Sequence, residues 1–389
     1  MVFPWAFLMN KSFDVIVIGL GCMGSSATMQ LAMRGQKVLG LEQFEPFHEL
    51  GSSHGSTRAI RLAYYEHPSY VPLLKRAYDI WHELEWLSGE TLIDECGCLT
   101  IGKPQHEVIQ GIRQSASLHH LKLSELNARE IRNRFPVFQP EDDEIGLLEP
   151  HGGFVWARRC LQAFQNISMH NGASLHYGEV ATSLEFHGNG VTVKTNKSEY
   201  HAGRVVLCAG PWVSRFLGPA GNTIRLMRQT LHWFTPSNPM AFGRFKTPVF
   251  MFAKDQAFYY GFPMVEPAGV KIARHYGQPE VAKVDQIDRM VHPEDEISIR
   301  KFLAGSIPSL QNSASAQAKG CIYTLTPDRH FLLGALQNNP QMIVAGGFSG
   351  HGFKFASVVG EVVADICINQ NSNLDLKLFH PERFMNDNP

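Results

Sequence analysis

The chain has 389 residues, of which 44% are hydrophobic and 18% are charged. This composition excludes a disordered protein, and the length suits roughly two or three domains. Lysine and arginine total 35 and aspartate and glutamate total 36, so the formal net charge is −1. That balance argues against nucleic acid as the main partner and against a polybasic membrane anchor.

The seven cysteines are odd in number and form no C-x-x-C pair, and the histidines show no H-E-x-x-H spacing. We therefore expect free thiols in a reducing compartment and no bound metal. No apolar run approaches the ~18–20 residues that span a bilayer, and the start of the chain lacks a basic segment and a cleavage site. These features predict a cytoplasmic protein with no membrane partner. Residues 1–8 precede Met9, and we expect them to be an upstream extension outside the fold.

The first elements predict a dinucleotide-binding unit. A β-branched run at 13–18 predicts a buried parallel strand, residues 25–34 predict a helix, and residues 37–42 predict a second strand that ends on an acid. A glycine-rich turn joins the first strand to the helix. This order of strand, glycine turn, helix, strand and acid is typical of the Rossmann fingerprint.

Each residue of the fingerprint has a physical reason. Gly19 permits the tight turn, Gly21 lets the backbone approach a pyrophosphate, and Gly24 lets the helix pack closely on the strand. The N-terminus of the helix offers N–H groups to the phosphates. Glu42 lies 23 residues after Gly19, in place to accept hydrogen bonds from ribose hydroxyls and to repel a 2′-phosphate. The motif alone leaves FAD and NAD open.

The rest of the chain predicts a return to this sheet after a second domain. The predicted elements, in order, are surface helices at 81–87 and 124–135, short strands at 174–177, 181–186, 191–195 and 204–208, half-buried antiparallel strands near 225–236, 248–253 and 258–263, a strand at 342–345, a glycine-rich loop at 346–352 and a helix at 356–368. We expect a discontinuous nucleotide-binding domain at 11–93, 152–218 and 325–375. The substrate domain then takes 94–151 and 219–324.

Five blocks, found in family order, resemble the monomeric sarcosine oxidase and N-methyltryptophan oxidase family of amino-acid-oxidase-like FAD proteins. The blocks are residues 51–61 (GSSHGSTRAIR), 260–263 (YGFP), 269–275 (GVKIARH), 320–324 (GCIYT) and 350–355 (GHGFKF). The resemblance extends from about residue 13 to 370. It implies an α/β protein with a discontinuous Rossmann-like FAD-binding domain and a substrate domain built on an antiparallel sheet.

The resemblance assigns the cofactor contacts. A lone cysteine is more often a buried core residue, but the matching family cysteine, here Cys321, forms a thioether to the 8α-methyl carbon of FAD. The fingerprint glycines and Glu42 would hold the dinucleotide. Gly347, Gly350, Gly352 and Lys354 would form a loop against the flavin, and the dipole of the final helix would face its pyrimidine carbonyl.

The resemblance also assigns the reacting end of the site. Lys271, which by itself could be a solvated strand residue, would lie over the flavin and promote the reaction with oxygen. Arg61 and Lys354 would bind the substrate carboxylate, and Arg58 would lie near the flavin. Without the resemblance, the spacing of three residues would place Arg58 and Arg61 on one side of a helix, if their segment is helical.

The remaining catalytic residues by resemblance are His275, Tyr260 and Tyr323, which line the substrate pocket. We assign no general base to His275, because the flavin oxidation of an amine needs the neutral amine and the substrate itself then sets the pH profile. The two tyrosines could instead be core aromatics with a satisfied hydroxyl.

These residues predict an oxidase of a secondary N-methyl amino acid, with sarcosine as the leading substrate and formaldehyde and hydrogen peroxide as products. Alternatives are an oxidase of N-methyltryptophan or of pipecolate or proline, a dehydrogenase that reduces a carrier, and a non-catalytic flavin-binding protein. The family expectation is a monomer. The sequence departs from the family pattern at Ser56, where an acid is usual, at Ala273-Arg274, and at Glu266-Pro267-Ala268, where a glycine-rich turn is usual.

Overall fold

The computed structural model describes residues 11–254 and 257–384, so the expected extension at 1–8 lies outside the described residues. In chain order, the strands are β1 Ser12–Ile18, β2 Val38–Leu41, β3 Thr57–Ile60, β4 Ile93–Asp94, β5 Cys98–Gly102, β6 Ser124–Asn127, β7 Ile145–Glu149, β8 Gly153–Trp156, β9 Ser174–His176, β10 Ala181–His187, β11 Gly190–Thr195, β12 Glu199–Leu207, β13 Arg225–Thr235, β14 Val249–Lys254, β15 Ala257–Gly261, β16 Val270–His275, β17 Glu280–Val281, β18 Ala314–Leu325, β19 Leu332–Ala335 and β20 Met342–Gly346. The α-helices are α1 Cys22–Met33, α2 Tyr70–Ser88, α3 Glu107–His119, α4 Ala128–Arg134, α5 Ala157–His170, α6 Pro293–Ser306 and α7 Ala356–Asn369.

Strand β1 lies inside a sheet that has eight strands among the described residues. It pairs in parallel with β2 on one side and with β12 on the other, and β12 pairs in parallel with β20. All four residues of β2 are buried, as expected of a parallel strand covered on both faces. Helix α1 packs between α5 and α7 on this sheet. The predicted Rossmann-like unit is confirmed, and its strands come from the start, the middle and the end of the chain.

A second sheet carries the antiparallel part of the fold. Among the described residues it has nine strands in the order β17-β13-β16-β15-β14-β5-β7-β6, with β18 paired to β13. Its pairs are antiparallel except for β14 with β5. The prediction that only one face of these strands is buried is wrong, because both faces of this sheet are covered. In β14, Phe250 and Phe252 pack in one cluster with Phe302 of α6, whereas Val249 and Met251 pack in another cluster on the opposite face.

Three local predictions need correction. The predicted helix at 124–135 is instead the strand β6 followed by α4, because Asn127 and Glu130 form a capping box that begins the helix at Ala128. The predicted surface helix at 81–87 is the end of the longer helix α2, in which Trp81 is fully buried. Arg58 and Arg61 do not share a helix, since β3 includes Arg58 and ends just before Arg61.

Candidate active site

One cavity connects the glycine turn after β1 to the second sheet. Its walls include nearly all the residues that the sequence assigned to the site: Gly19, Gly21, Glu42, Arg58, Arg61, Tyr260, Lys271, His275, Cys321, Tyr323, Gly347, Gly350, Gly352 and Lys354. Gly24 is the exception. A Cβ at that position would lie 1.8 Å from the carbonyl oxygen of Gly19, so Gly24 serves the close contact of helix and turn beneath the cavity.

The glycine turn has the geometry that the fingerprint requires. Gly19 has a φ of +92°, and a Cβ there would lie 2.5 Å from the carbonyl oxygen of Cys208. Gly21 precedes α1 and provides no side-chain cap. The first N–H of α1, that of Cys22, donates to the hydroxyl of Ser53 at 3.0 Å. Cys22 and Met23 line the cavity, so the N-terminus of α1 lies at its wall, where it attracts an anion.

Glu42 lies at the same end of the cavity and is 5% exposed. Its carboxylate accepts hydrogen bonds from the backbone N–H of Leu20 at 2.9 Å and of Phe44 at 3.2 Å, and it lies 3.3 Å from the Nε2 of His48. The carboxylate thus fixes the turn after β1 and the loop after β2. Contact with a ribose stays a prediction.

The glycine-rich loop after β20 approaches the aromatic part of the cavity. Gly347 and Gly350 have positive φ, and a Cβ on Gly350 would lie 2.4 Å from the ring of Tyr323. A Cβ on Gly352 would lie 2.5 Å from the side chain of Phe348. Glycine at these positions therefore lets the loop pack directly on residues of the cavity wall.

Lys271 lies on β16 and is 2% exposed, so it is not a solvated strand residue. Its ammonium donates to the carbonyl oxygen of Thr57 at 2.8 Å and to the hydroxyl of Thr57, and it lies 4.0 Å from the ring centre of Phe262. Burial, followed by the charge of Arg58, holds the pKa of Lys271 well below its usual value. The protonation of this amine is therefore sensitive to nearby charge.

Arg58 lies beside the same wall of the cavity. Its guanidinium donates to backbone carbonyl oxygens of Thr57 at 2.9 Å, of Ser52 at 3.1 Å and of His54. It also lies 5.6 Å from the ring centre of Phe353. These partners are neutral, and no carboxylate of the described residues forms a hydrogen bond with Arg58.

Arg61, Glu66 and Lys354 form a buried charged cluster. The guanidinium of Arg61 lies 3.2 Å from the carboxylate of Glu66 and 4.7 Å from the ring centre of Tyr64. The Nε of Arg61 has no hydrogen-bond partner within the described part of the chain. Burial raises the pKa of Glu66, although Arg61 and Lys354 act in the opposite direction. Arg61 and Glu66 both line the cavity, so the guanidinium that the sequence assigned to a substrate carboxylate already holds one carboxylate of the chain.

Lys354 is held at this cluster by backbone and aromatic contacts. Its ammonium donates to the carbonyl oxygen of His351 at 2.8 Å and to the hydroxyl of Tyr64 at 3.3 Å. The indole of Trp81 donates to the carbonyl oxygen of Lys354 at 3.0 Å and so fixes its backbone. Burial and the charge of Arg61 lower the pKa of Lys354 to about 7, while Glu66 acts to raise it.

His275, Tyr323 and Tyr260 form an aromatic group on the second sheet. The Nδ1 of His275 lies 3.1 Å from the hydroxyl of Tyr323, which lies 3.5 Å from the hydroxyl of Tyr260. Burial, followed by the charges of Lys354 and Arg61, lowers the pKa of His275 to about 3. The imidazole is therefore neutral near pH 7 and is a weak base.

Cys321 lies on β18 in the cavity wall and is 8% exposed. Burial raises the pKa of its thiol, and the charges of Arg58 and Lys271 oppose that rise. All seven cysteines are free thiols in this structure. Cys321 lines the cavity, and the charges of Arg58 and Lys271 act toward its thiolate against the larger effect of burial.

The cavity fits an FAD molecule. It runs without interruption from the turn and acid of a nucleotide site to a buried wall of cations and aromatic side chains. A helix N-terminus suits the pyrophosphate, and the cations Arg61 and Lys354, with the unpaired Nε of Arg61 among the described residues, suit an anionic ligand at the other end. Residues 11–254 and 257–384 contain no group of three metal-binding side chains and no helix long and apolar enough to cross a membrane.

Sequence reasoning missed several residues of the site. Glu66 belongs to no motif, and only the structure places it on Arg61. Thr57 lies within a block that resembles the family, but its hydrogen bonds to Lys271 have no sequence signal. The apolar lining of the reacting end, which comes from three different strands or turns, was also missed: Met251, Phe258 and Phe262.

Comparisons with known proteins agree with this geometry. Residues 14–366 match the family described as FAD dependent oxidoreductase. Monomeric sarcosine oxidase of Streptomyces avermitilis is 37% identical over 382 residues, covering 96% of this chain and 98% of that protein. N-methyl-L-tryptophan oxidase of Yersinia pestis is 32% identical over 378 residues, covering 96% of this chain and 99% of that protein.

Among solved structures, the open form of an unusual amino acid oxidase essential for nikkomycin biosynthesis is similar along nearly the whole fold. It has a TM-score of 0.84 and 25% identity, and the match covers 96% of this chain and 98% of that one. The chain therefore belongs to the FAD-dependent oxidoreductase family and, within it, to the FAD-dependent amine oxidases related to monomeric sarcosine oxidase and N-methyl-L-tryptophan oxidase.

Proposed function

We propose that the protein oxidises a secondary N-methyl amino acid, with sarcosine as the leading substrate. FAD, when bound, supplies the two-electron acceptor for the carbon–nitrogen bond. The imine hydrolyses to the demethylated amino acid and formaldehyde, and oxygen takes the electrons to give hydrogen peroxide. The observation that carries this proposal is the pair of buried cations, Arg61 and Lys354, in the same cavity as Lys271 and the nucleotide-binding turn.

The cation pair orients the substrate. A guanidinium and an ammonium around one carboxylate fix its direction as well as its affinity. The contacts of Lys354 with Tyr64 and His351 hold the ammonium in place before substrate arrives. An amino acid held in this way presents its N-methyl group to the aromatic wall of the cavity.

His275 is not a strong base for the amine proton. His275 has a pKa of about 3, so its neutral imidazole accepts a proton poorly at pH 7. Its Nδ1 instead shares a hydrogen bond with the hydroxyl of Tyr323. We therefore propose that the substrate binds as the neutral amine, with His275, Tyr323 and Tyr260 shaping the pocket around it.

Anaerobic mixing of the purified holoprotein with a substrate panel tests the proposal. The panel contains sarcosine, N-methyltryptophan, pipecolate and proline, with bleaching of the flavin absorption and release of formaldehyde as readouts. Sarcosine is expected to bleach the flavin fastest and to yield formaldehyde. Faster bleaching by a cyclic amino acid without formaldehyde contradicts the N-methyl assignment, and bleaching by no amine favours a non-catalytic flavin-binding protein.

We further propose a thioether between Cys321 and the 8α-methyl carbon of FAD. Acid precipitation of the natural protein is expected to leave a yellow pellet, whereas the variant Cys321→Ser releases its flavin to the supernatant. Cys22→Ser is the matched control, because Cys22 is a second buried cysteine in the wall of the same cavity. Complete release of flavin from the natural protein contradicts the linkage.

Glu66→Gln is expected to tighten the binding of a substrate carboxylate near pH 6. The variant removes the anion that occupies Arg61, and a gain of about 1 kcal/mol corresponds to about five-fold in KM. Glu66 also acts to raise the pKa of Lys354, which is about 7. In the variant the pKa of Lys354 falls further, so less of its ammonium is present at a given pH. The gain in carboxylate binding is therefore lost as the pH rises to about 8.

The KM for sarcosine at pH 6 and pH 8 measures this effect. Glu361→Gln, which removes a carboxylate paired with Arg76 outside the cavity, is the control and leaves both values unchanged. A rise in KM at pH 6 in Glu66→Gln contradicts competition between the two carboxylates.

The organisation of the protein completes the proposal. The two sheets support an FAD-binding domain at 11–93, 152–218 and 325–375 and a substrate domain at 94–151 and 219–324. The free thiols support action in the reducing cytoplasm. The relatives named as monomeric support a monomer with a small-molecule substrate.

A further inference from the structure

Two of the positions at which the sequence departs from the family pattern meet in space. The hydroxyl of Ser56 donates to the carboxylate of Glu266 at 2.7 Å. Ser56 is followed by Thr57, whose carbonyl oxygen and hydroxyl accept the hydrogen bonds of the Lys271 ammonium. A short path of hydrogen bonds and one peptide therefore connects Glu266 to Lys271.

The turn that carries Glu266 also begins the strand that carries Lys271. The N–H of Gly269 donates to the carbonyl oxygen of Glu266 at 3.1 Å, and β16 starts at the next residue, Val270. Gly269 has a φ of +115°, and a Cβ there would lie 2.2 Å from the carbonyl oxygen of Phe234. The turn is thus fixed against β13, and Glu266 ties it to the start of β3.

The charges around Lys271 are unequal. Arg58 on β3 repels its ammonium, Glu266 attracts it, and the Cys321 thiol on β18 contributes attraction when ionised. Within the described part of the chain, the other side chains beside the ammonium are the uncharged Thr57, Phe262 and Trp233. Glu266 is therefore the carboxylate that offsets Arg58 at this amine.

We propose that Glu266 is a positioning residue for Lys271. Its carboxylate holds Ser56 and Thr57 against the ammonium and provides the negative charge that keeps the ammonium protonated beside Arg58. The functional consequence depends on the proposed role of Lys271 in the reaction with oxygen. The coupling between Glu266 and Lys271 itself does not depend on that role.

The test follows the ionisation of Lys271 in the oxidised holoprotein. The visible absorption of the bound flavin is titrated with pH, and the transition that disappears in Lys271→Met is assigned to Lys271. Glu266→Gln is expected to move the midpoint of this transition down by about one pH unit, because an attracting charge has been removed. Glu49→Gln, which removes a carboxylate paired with Lys319, is the control and leaves the midpoint in place.

A double variant separates charge from folding. Ser56→Asp combined with Glu266→Gln keeps the hydrogen bond but moves the carboxylate to its other end, and it is expected to restore the midpoint. Ser56→Ala keeps the charge and is expected to shift the midpoint less than Glu266→Gln. An equal midpoint in the natural protein and Glu266→Gln overturns the proposal, as does the absence of a Lys271-dependent transition from both.

The half-reactions distinguish this proposal from the proposed function. Glu266→Gln is expected to slow reoxidation by oxygen at a pH between its shifted midpoint and the natural midpoint, and to leave reduction by substrate unchanged. If Lys271→Met reacts with oxygen at the natural rate, the oxygen role of Lys271 fails. A shifted midpoint in Glu266→Gln would then still support the coupling.

Discussion

Lys271→Met is expected to slow the reaction of the reduced protein with oxygen by about 10²–10³-fold, the usual effect of removing one preorganised electrostatic group. Methionine keeps most of the length and apolar volume of the side chain but removes the charge. In the proposed reaction with oxygen the charge matters because superoxide is an anion, and Lys271 is 2% exposed in a wall that is nearly closed to water. Reduction by substrate is expected to change only a few-fold, because we propose that other residues, Arg61 and Lys354, hold the substrate carboxylate.

Stopped-flow measurement of the two half-reactions tests this expectation. Lys301→Met is the matched control, since Lys301 is an exposed lysine on α6. The pKa of Lys271 is lowered, so its ammonium is the form that is lost as the pH rises. The natural protein should therefore react more slowly with oxygen as the pH rises through that pKa, and Lys271→Met should lose this dependence. Equal losses in both half-reactions contradict the assignment.

Strand register explains how the second sheet builds the reacting end. Alternate residues of a strand face the same side of a sheet, so Lys271 and His275 of β16 share a face. On β18, Cys321 and Tyr323 are likewise two residues apart, and β13 lies between these strands. One face of this sheet therefore carries the residue predicted to promote the reaction with oxygen, the cysteine predicted to bind the cofactor and the residues predicted to line the substrate pocket.

The sequence was sufficient for the Rossmann-like unit, because its turn, helix and acid are determined by neighbours in the chain. It was not sufficient for the burial of Lys271. Strand β16 has Val270, Ile272 and Ala273 around the lysine, and only the packing of both sheets decides that each face is covered. The helical alternative for Arg58 and Arg61 failed because β3 pairs with β8, a partner far along the chain.

Glu66 illustrates the remaining gap between sequence and structure. The two residues before it are aromatic: Tyr64 is buried and Tyr65 is half-buried. Sequence alone therefore indicates an ordinary core segment here. The pairing with Arg61 depends on the loop after β3, which Glu149 of β7 fixes by accepting from the N–H groups of Leu62 and Ala63. A motif search has no access to such a contact between distant segments.

Lys354→Met is expected to weaken the binding of an amino acid about 10²-fold and that of an uncharged amine only slightly. Truncating one member of a buried, hydrogen-bonded charge pair costs about 2–5 kcal/mol, and about 2.7 kcal/mol corresponds to this factor. We expect Arg61 to keep its contact with the carboxylate in the variant, so binding should be weakened and not abolished. Similar losses for an amino acid and for an amine without a carboxylate would reject the role of Lys354.

The pH dependence of carboxylate binding gives this prediction a second readout. Lys354 has a pKa of about 7, so its ammonium is present below pH 7 and is lost above it. Propionate has no amine to ionise, and its dissociation constant, followed by the flavin absorption, should therefore rise as the pH passes through 7. Lys354→Met should bind propionate weakly at every pH, whereas the control Lys301→Met keeps the natural profile. A flat profile in the natural protein would mean that Arg61 alone holds the carboxylate.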